Sequence, residues 1–138
     1  MKPEDFGITK YKFRPDGTLD VFQDVNLIGM NLTELPFNFG KIDGDFNCNY
    51  NKLTILKGCP EIVNGNFYCS GNNLTSLIYF PKIINGSFHC SNNSLKSLNG
   101  LNLDGIIGVV SVWFNPNLKL TDKEELWATL NPGRLVKE

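Results

Sequence analysis

The side chains able to do chemistry in this 138-residue chain are few. Its one histidine, His89, precedes Cys90, and a thiol beside an imidazole is one route to an activated nucleophile. The local pattern argues against that use. Phe88-His89-Cys90 alternates apolar and polar, and a strand sends neighbours to opposite faces, so Cys90 is expected inward and His89 outward. No second imidazole exists to act as base or metal ligand. Cys48, Cys69 and Cys90 recur every 21 residues, which suits a column of buried, reduced thiols acting as small hydrophobes. A metal site would want close pairs such as Cys-x-x-Cys, and a disulfide between neighbouring copies would strain the column. Cys59, in Gly58-Cys59-Pro60, lies outside the column and is expected to be the one reachable thiol. Asp43-Gly44-Asp45 lacks the further spaced acids and closing glutamate of a calcium loop, so these are read as turn residues. Glycosylation triplets begin at Asn31, Asn73, Asn85 and Asn92, but the repeat described next accounts for most of those asparagines. There is no phosphate loop, dinucleotide fingerprint or hydrolase elbow. The expectation is a protein that is not an enzyme and takes no metal and no cofactor.

The elements that would hold these side chains follow from that 21-residue period. Phe46-Asn47-Cys48-Asn49-Tyr50-Asn51-Lys52-Leu53, Phe67-Tyr68-Cys69-Ser70-Gly71-Asn72-Asn73-Leu74 and Phe88-His89-Cys90-Ser91-Asn92-Asn93-Ser94-Leu95 align without gaps. Phe-x-Cys is a short strand with two inward side chains. Such a strand holds no core alone but does so when stacked on its neighbours. Asn51, Asn72 and Asn93 fall where the chain leaves the strand, placed to bond backbone groups that would otherwise be buried unpaired. The return legs carry Pro60 or Pro81, then Ile62-Val63 or Ile83-Ile84, then Asn-Gly. Legs this short, with proline, predict turns or 3₁₀ structure, and Asn-Gly suggests a positive φ before the next strand. Stepping back 21 gives a first copy on Val25, Leu27, Leu32 and Leu35, with Met30 in place of the asparagine. A shift of 22 gives a fifth on Val110 and Val112, with Asn115.

The flanks read as caps. Tyr11-Lys12-Phe13 and Thr18 to Phe22 surround Pro15-Asp16-Gly17, a hairpin over 11–22. Residues 1–10 show no pattern and are expected to be loose. Thr121-Asp122-Lys123-Glu124 is a capping box, and Leu126, Trp127 and Leu130 follow at helical spacing. A helix over 121–131 is expected to cover the last repeat, with Trp127 as a plug. The fold class is thus a single repeat solenoid over 1–138, its repeats spanning 23–120, with about five short parallel strands in one curved stack. The net charge of −1 and the absence of a basic run exclude an electrostatic nucleic-acid footprint. No segment reaches the roughly 20 apolar residues of a membrane helix, and Met1 to Asp5 does not read as a signal peptide, so a cytoplasmic location is expected.

Outward positions of the strands are not dictated by the repeat, and they form three columns. The first is Asn26, Asn47, Tyr68, His89 and Ser111; the second Ile28, Asn49, Ser70, Ser91 and Trp113; the third Gly29, Tyr50, Gly71, Asn92 and Phe114. Aromatic anchors amid Ser, Asn and Gly have the make-up of a protein-binding surface. The candidate partner-binding residues are Tyr50, Tyr68, His89, Trp113, Phe114, Asn47 and Asn49. Because the fifth copy is irregular, Trp113 or Phe114 could instead turn inward.

The repeat, together with Pro-Asp-Gly between two strands and Leu32 to Lys41 (Leu-Thr-x-Leu-Pro-Phe-x-Phe-Gly-Lys), resembles the short leucine-rich repeat proteins of tailed bacteriophages and bacteria. The likeness spans about Tyr11 to Leu98. It implies a binding scaffold, and a phage origin would imply a protein that engages a host or defence factor in the host cytoplasm. The function expected is a protein–protein interaction module that inhibits or redirects its partner. The alternative is a carbohydrate-binding or surface-attachment module, and either the strand face or an open end could also pair two copies.

Overall fold

The computed structural model describes residues 1–138. In chain order the strands are β1 (Tyr11–Phe13), β2 (Leu19–Val21), β3 (Val25–Asn26), β4 (Phe39–Ile42), β5 (Phe46–Asn47), β6 (Ile62–Val63), β7 (Phe67–Tyr68), β8 (Ile83–Ile84), β9 (Phe88–His89) and β10 (Val110–Ser111). One helix, α1 (Asp122–Leu130), and a last strand, β11 (Leu135–Val136), follow. The helix begins at the capping box: Thr121 Oγ1 accepts the Glu124 N–H at 3.2 Å and Glu124 returns to the Thr121 N–H at 2.9 Å. No helix is long and apolar enough to cross a membrane.

The strands form two sheets, not the single stack expected. One has six strands in the order β11-β10-β9-β7-β5-β3, the other five in the order β1-β2-β4-β6-β8. Every pairing is parallel except the β1–β2 hairpin. In the first sheet Val25, Phe46, Phe67, Phe88 and Val110 stand side by side, the 21- and 22-residue offsets of the sequence. The return legs, expected as turns or 3₁₀, make the second sheet. A fixed period brings both halves of each repeat into register, so Ile62 meets Ile83 and Val63 meets Ile84. Only the last leg keeps a 3₁₀ turn, Leu103–Gly105.

Asn-Gly also works differently from the expectation. Gly65 and Gly86 have no positive φ. They are places where successive repeats touch: a Cβ on Gly65 would lie 2.8 Å from the Gly44 carbonyl carbon and oxygen, and one on Gly86 2.6 Å from the Gly65 oxygen.

Between the sheets lies one apolar core. Phe46, Phe67 and Phe88 are fully buried; the first two stack at 5.5 Å and Phe80 meets Phe88 edge-on at 4.6 Å. Cys48, Cys69 and Cys90 form the next buried column, continued by Leu27 and Val112 at its ends. Asparagine lines the turn out of β5, β7, β9 and β10. Asn72 Oδ1 accepts the Leu53 N–H at 3.0 Å, and its Nδ2 donates to the Cys48 and Cys69 carbonyls, both at 3.1 Å. Asn51, Asn93 and Asn115 repeat the arrangement. Each amide oxygen serves the repeat before its own, which is why the first copy folds with an exposed Met30 and no asparagine. A second column runs outside the strands: Asp24 accepts the Asp45 N–H at 2.7 Å, Asp45 that of Asn66 at 2.7 Å, and Asn66 that of Ser87 at 2.8 Å.

Both ends depart from expectation. Residues 1–10 are held down: Pro3 and Ile8 are buried, and Gln23 accepts the Thr9 and Lys10 N–H groups while donating to the Gly7 carbonyl at 3.1 Å. At the other end α1 buries none of its residues, and Leu126 and Leu130 stay 57% and 71% exposed. Of its side chains only Trp127 packs against the core, with its indole N–H on Asp104 at 3.2 Å. The last repeat is covered instead by β11 and by Arg134, which donates to the Ile106 and Gly108 carbonyls and lies 5.0 Å from the Trp127 ring centre. Cys59, expected to be reachable, is buried in the core.

Two outcomes test this architecture. Asn72→Ala leaves three buried backbone groups short of a partner and should cost about 1–3 kcal/mol, whereas exposed Asn73→Ala should cost about 0.5 kcal/mol or less, read by denaturant unfolding; equal costs would refute the phase of the repeat. Because burial raises the Cys48, Cys59 and Cys69 thiols above their ordinary value and all four cysteines are buried, a thiol reagent should label none of them promptly in folded protein and all four after unfolding.

Candidate functional site

The outward side chains of β3, β5, β7, β9 and β10 share one face. The parallel register sets His89 beside Tyr68, and their rings stack at 5.0 Å with planes 9° apart. Both are half-buried. The same alternation buries Cys90 completely, so the thiol and the imidazole lie on opposite sides of the strand. Burial holds the His89 imidazole below its ordinary value of 6.5, and the ring is neutral at pH 7.

Trp113 and Phe114, which could have turned inward, both face out. They are 41% and 60% exposed and stack on each other at 4.6 Å, 27° from parallel. With Pro116, Leu118 and Lys137 they line a cavity of about 650 Å³ at the end of the face. Tyr50 is 61% exposed at the opposite side. Asn47 and Asn49 have local work as well: Asn47 Oδ1 accepts the Asn49 N–H at 3.0 Å, and Asn49 Oδ1 accepts the Ser70 N–H at 2.7 Å. Ser91 and Ser111 are buried and share a hydroxyl contact at 3.2 Å. Of the seven candidate residues, Tyr50, Tyr68, His89, Trp113 and Phe114 thus remain as rings presented on the face without such local bonds.

One feature of these residues lay beyond the alternation pattern. The third column is left-handed throughout: Gly29 at φ +63°, Tyr50 at +57°, Gly71 at +67°, Asn92 at +54° and Phe114 at +55°. Glycine adopts this conformation freely and asparagine readily, while a bulky side chain is strained there by about 1 kcal/mol or more. The recurrence of Gly, Gly and Asn at one position of the repeat was the available signal. Gly71 serves its neighbour too, since a Cβ there would lie 2.4 Å from the Tyr50 ring. Tyr79, at φ +71° between Gly58 and Gly100 in the return legs, is the same substitution on the far side of the molecule.

The stacked pair gives a measurable signature. His89 should titrate below 6.5 by NMR of its ring protons, and Tyr68→Ala, which uncovers the imidazole, should move it up towards that value. Since the depressed group favours the neutral form when folded, its contribution to stability is present above pH 6.5 and is lost as pH falls through the folded-state value. An imidazole titrating at or above 6.5 in the intact protein would refute the packed, neutral stack. Comparison with protein-family models, with curated proteins and with solved structures finds no match for this chain.

Proposed function

We propose that the chain is a leucine-rich repeat solenoid of the short bacteriophage and bacterial kind and acts, without catalysis, as a protein-binding module through its six-stranded face. The observation that carries this reading is the set of exposed aromatics gathered on one face, two of which, Tyr50 and Phe114, are held in left-handed backbone as Tyr79 is on the far side. Tyr50 and Phe114 are more than half exposed, so their strain is not offset by core packing. Strained residues cluster at binding and catalytic positions, and exposed Tyr, Trp and Phe among small polar neighbours are the usual anchors of protein interfaces. The face offers rigid rings on short strands, which lose little freedom on docking. Inhibition or redirection of a host or defence protein in the host cytoplasm is the role that fits such a module.

Tyr50→Gly tests it, because the glycine conformation is already native to that column. Melting temperature should hold or rise, while affinity for the protein recovered by pull-down from host lysate should fall about 10- to 100-fold by calorimetric titration. Tyr68→Ala with His89→Ala should weaken the same complex by roughly 30- to 1,000-fold, and exposed Lys57 and Lys82 on the return legs serve as controls. Unchanged affinity in the aromatic variants with loss at the lysines would move the site to the far sheet. Binding to a neutral glycan array in place of any protein would favour the carbohydrate reading.

A further inference from the structure

Asparagine or aspartate precedes glycine at Asp16-Gly17, Asp43-Gly44, Asn64-Gly65, Asn85-Gly86, Asn99-Gly100 and Asp104-Gly105. In such a pair the glycine nitrogen can approach the side-chain carbonyl carbon, because no Cβ on the glycine hinders it. In folded protein the approach is governed by what holds the side chain and the peptide plane between the two residues. All but one of these side chains are held. Asp16 accepts the Thr18 N–H and Asp104 the Trp127 indole N–H. Asn64 donates to Asp43 at 2.6 Å and Asn85 to Asn64 at 2.8 Å, tying three of them into one ladder. The Gly65 N–H is also bound, to the Gly44 carbonyl at 2.9 Å, and Gly86 lies against the Gly65 oxygen.

Asn99-Gly100 stands apart. Its turn recurs along the stack: the Cys59, Phe80 and Leu101 N–H groups bond the Leu56, Leu77 and Leu98 carbonyls at 2.9, 3.1 and 3.0 Å. Lys57-Gly58, Ile78-Tyr79 and Asn99-Gly100 take the corner, each with a positive φ at its second residue. Only the fourth copy sets an amide side chain before glycine there. Asn99 and Gly100 are both exposed. The backbone N–H of Asn99 rests on the Ser97 hydroxyl at 3.2 Å, but its side chain makes no hydrogen bond. Neither the Asn99 carbonyl nor the Gly100 N–H bonds another group. The peptide plane between them can therefore rotate without breaking a hydrogen bond, in contact with water.

We infer that Asn99 is the site at which the folded chain deamidates. The Gly100 nitrogen bonds to the side-chain carbonyl carbon of Asn99, the bond from that carbon to Nδ2 breaks, and the amide nitrogen leaves as ammonia with the Gly100 proton. The product is a cyclic imide. Water, the only co-reactant, then adds to one of the two ring carbonyls and releases the Gly100 nitrogen, which regains a proton. Opening at the side-chain carbon gives aspartate, and opening at the main-chain carbon gives isoaspartate. Either product sets a carboxylate where a neutral amide stood, on a chain of net charge −1. Isoaspartate also lengthens the backbone between buried Leu98 and Leu101, within the turn that their hydrogen bond closes. The site lies on a return leg and is independent of the binding reading.

Incubation of the purified chain in mildly alkaline buffer, followed by digestion and peptide mapping by mass spectrometry, reads each asparagine separately, with chain held in denaturant run alongside. In folded protein the Asn99 peptide should split into aspartyl and isoaspartyl forms at least about tenfold faster than the Asn64 and Asn85 peptides change. In denaturant the three rates should converge, because the bonds that separate them are gone. Asn99→Gln keeps the amide but enlarges the ring that attack must close. That variant should stay a single species on ion exchange over the same period, with melting temperature unchanged. Conversion at Asn64 or Asn85 as fast as at Asn99 in folded protein would overturn the proposal. So would an Asn99 that persists in folded protein while the denatured chain converts, or a folded variant that still gains the acidic species.

Discussion

Backbone that turns every ten residues must bury amide groups it cannot pair with itself, and everything else in this molecule follows from how that problem is met. The strands are two to four residues long, too short to leave their ends in solvent. The inward asparagine resolves it: one side chain supplies both an acceptor and two donors, and Asn72 spends them on Leu53, Cys48, Cys69 and Ser70. No buried side-chain nitrogen or oxygen is left without a partner. The apolar columns of phenylalanine, cysteine and leucine stack at the same spacing as the turns that this column of amides joins.

Much of this was legible in the residues. The period placed the inward phenylalanines and cysteines, the asparagine turns and the slip to 22 before Val110, because each rests on local chemistry repeated several times. Pro15-Asp16-Gly17 and Thr121 to Glu124 were equally plain, being self-contained motifs. The second sheet was not, since Ile62-Val63 and Ile83-Ile84 carry no alternation; their pairing exists only through register imposed by the rest of the repeat. Gln23 anchoring Thr9 and Lys10, and Arg134 clasping the carbonyls of Ile106 and Gly108, are single long-range contacts with no periodic signature. The burial of Cys59 has no local signature, because its Gly-Cys-Pro setting describes the turn and not what packs over it.

The strand face shows two kinds of constraint meeting in one residue. Its backbone is set by the repeat, which requires a left-handed turn at the third outward position whatever side chain stands there. Its side chains are free to vary, and at Tyr50 and Phe114 they vary against the backbone's preference. The face also separates position from charge: Tyr68 and His89 stack as neutral rings, while carboxylates such as Asp24 and Asp45 are committed to backbone N–H groups at the rim. What the surface offers at its centre is shape and ring contact.

The asparagine column has a direction, and direction matters to a chain made from one end. Each amide oxygen accepts N–H groups of the repeat before it, so a repeat emerging during synthesis carries buried donors that stay open until the next asparagine arrives. Closure is therefore vectorial: the first copy is completed by Asn51 and the fourth by Asn115, whereas β11 and Arg134 pair with the strand of the last copy and with the carbonyls of Ile106 and Gly108 before it. A chain interrupted between repeats would end in an unfinished turn with unpaired edges, a species made to associate or to be degraded. At the last repeat the pairing changes in kind: β11 adds a parallel strand beside β10, and Arg134 ties the carbonyls of Ile106 and Gly108.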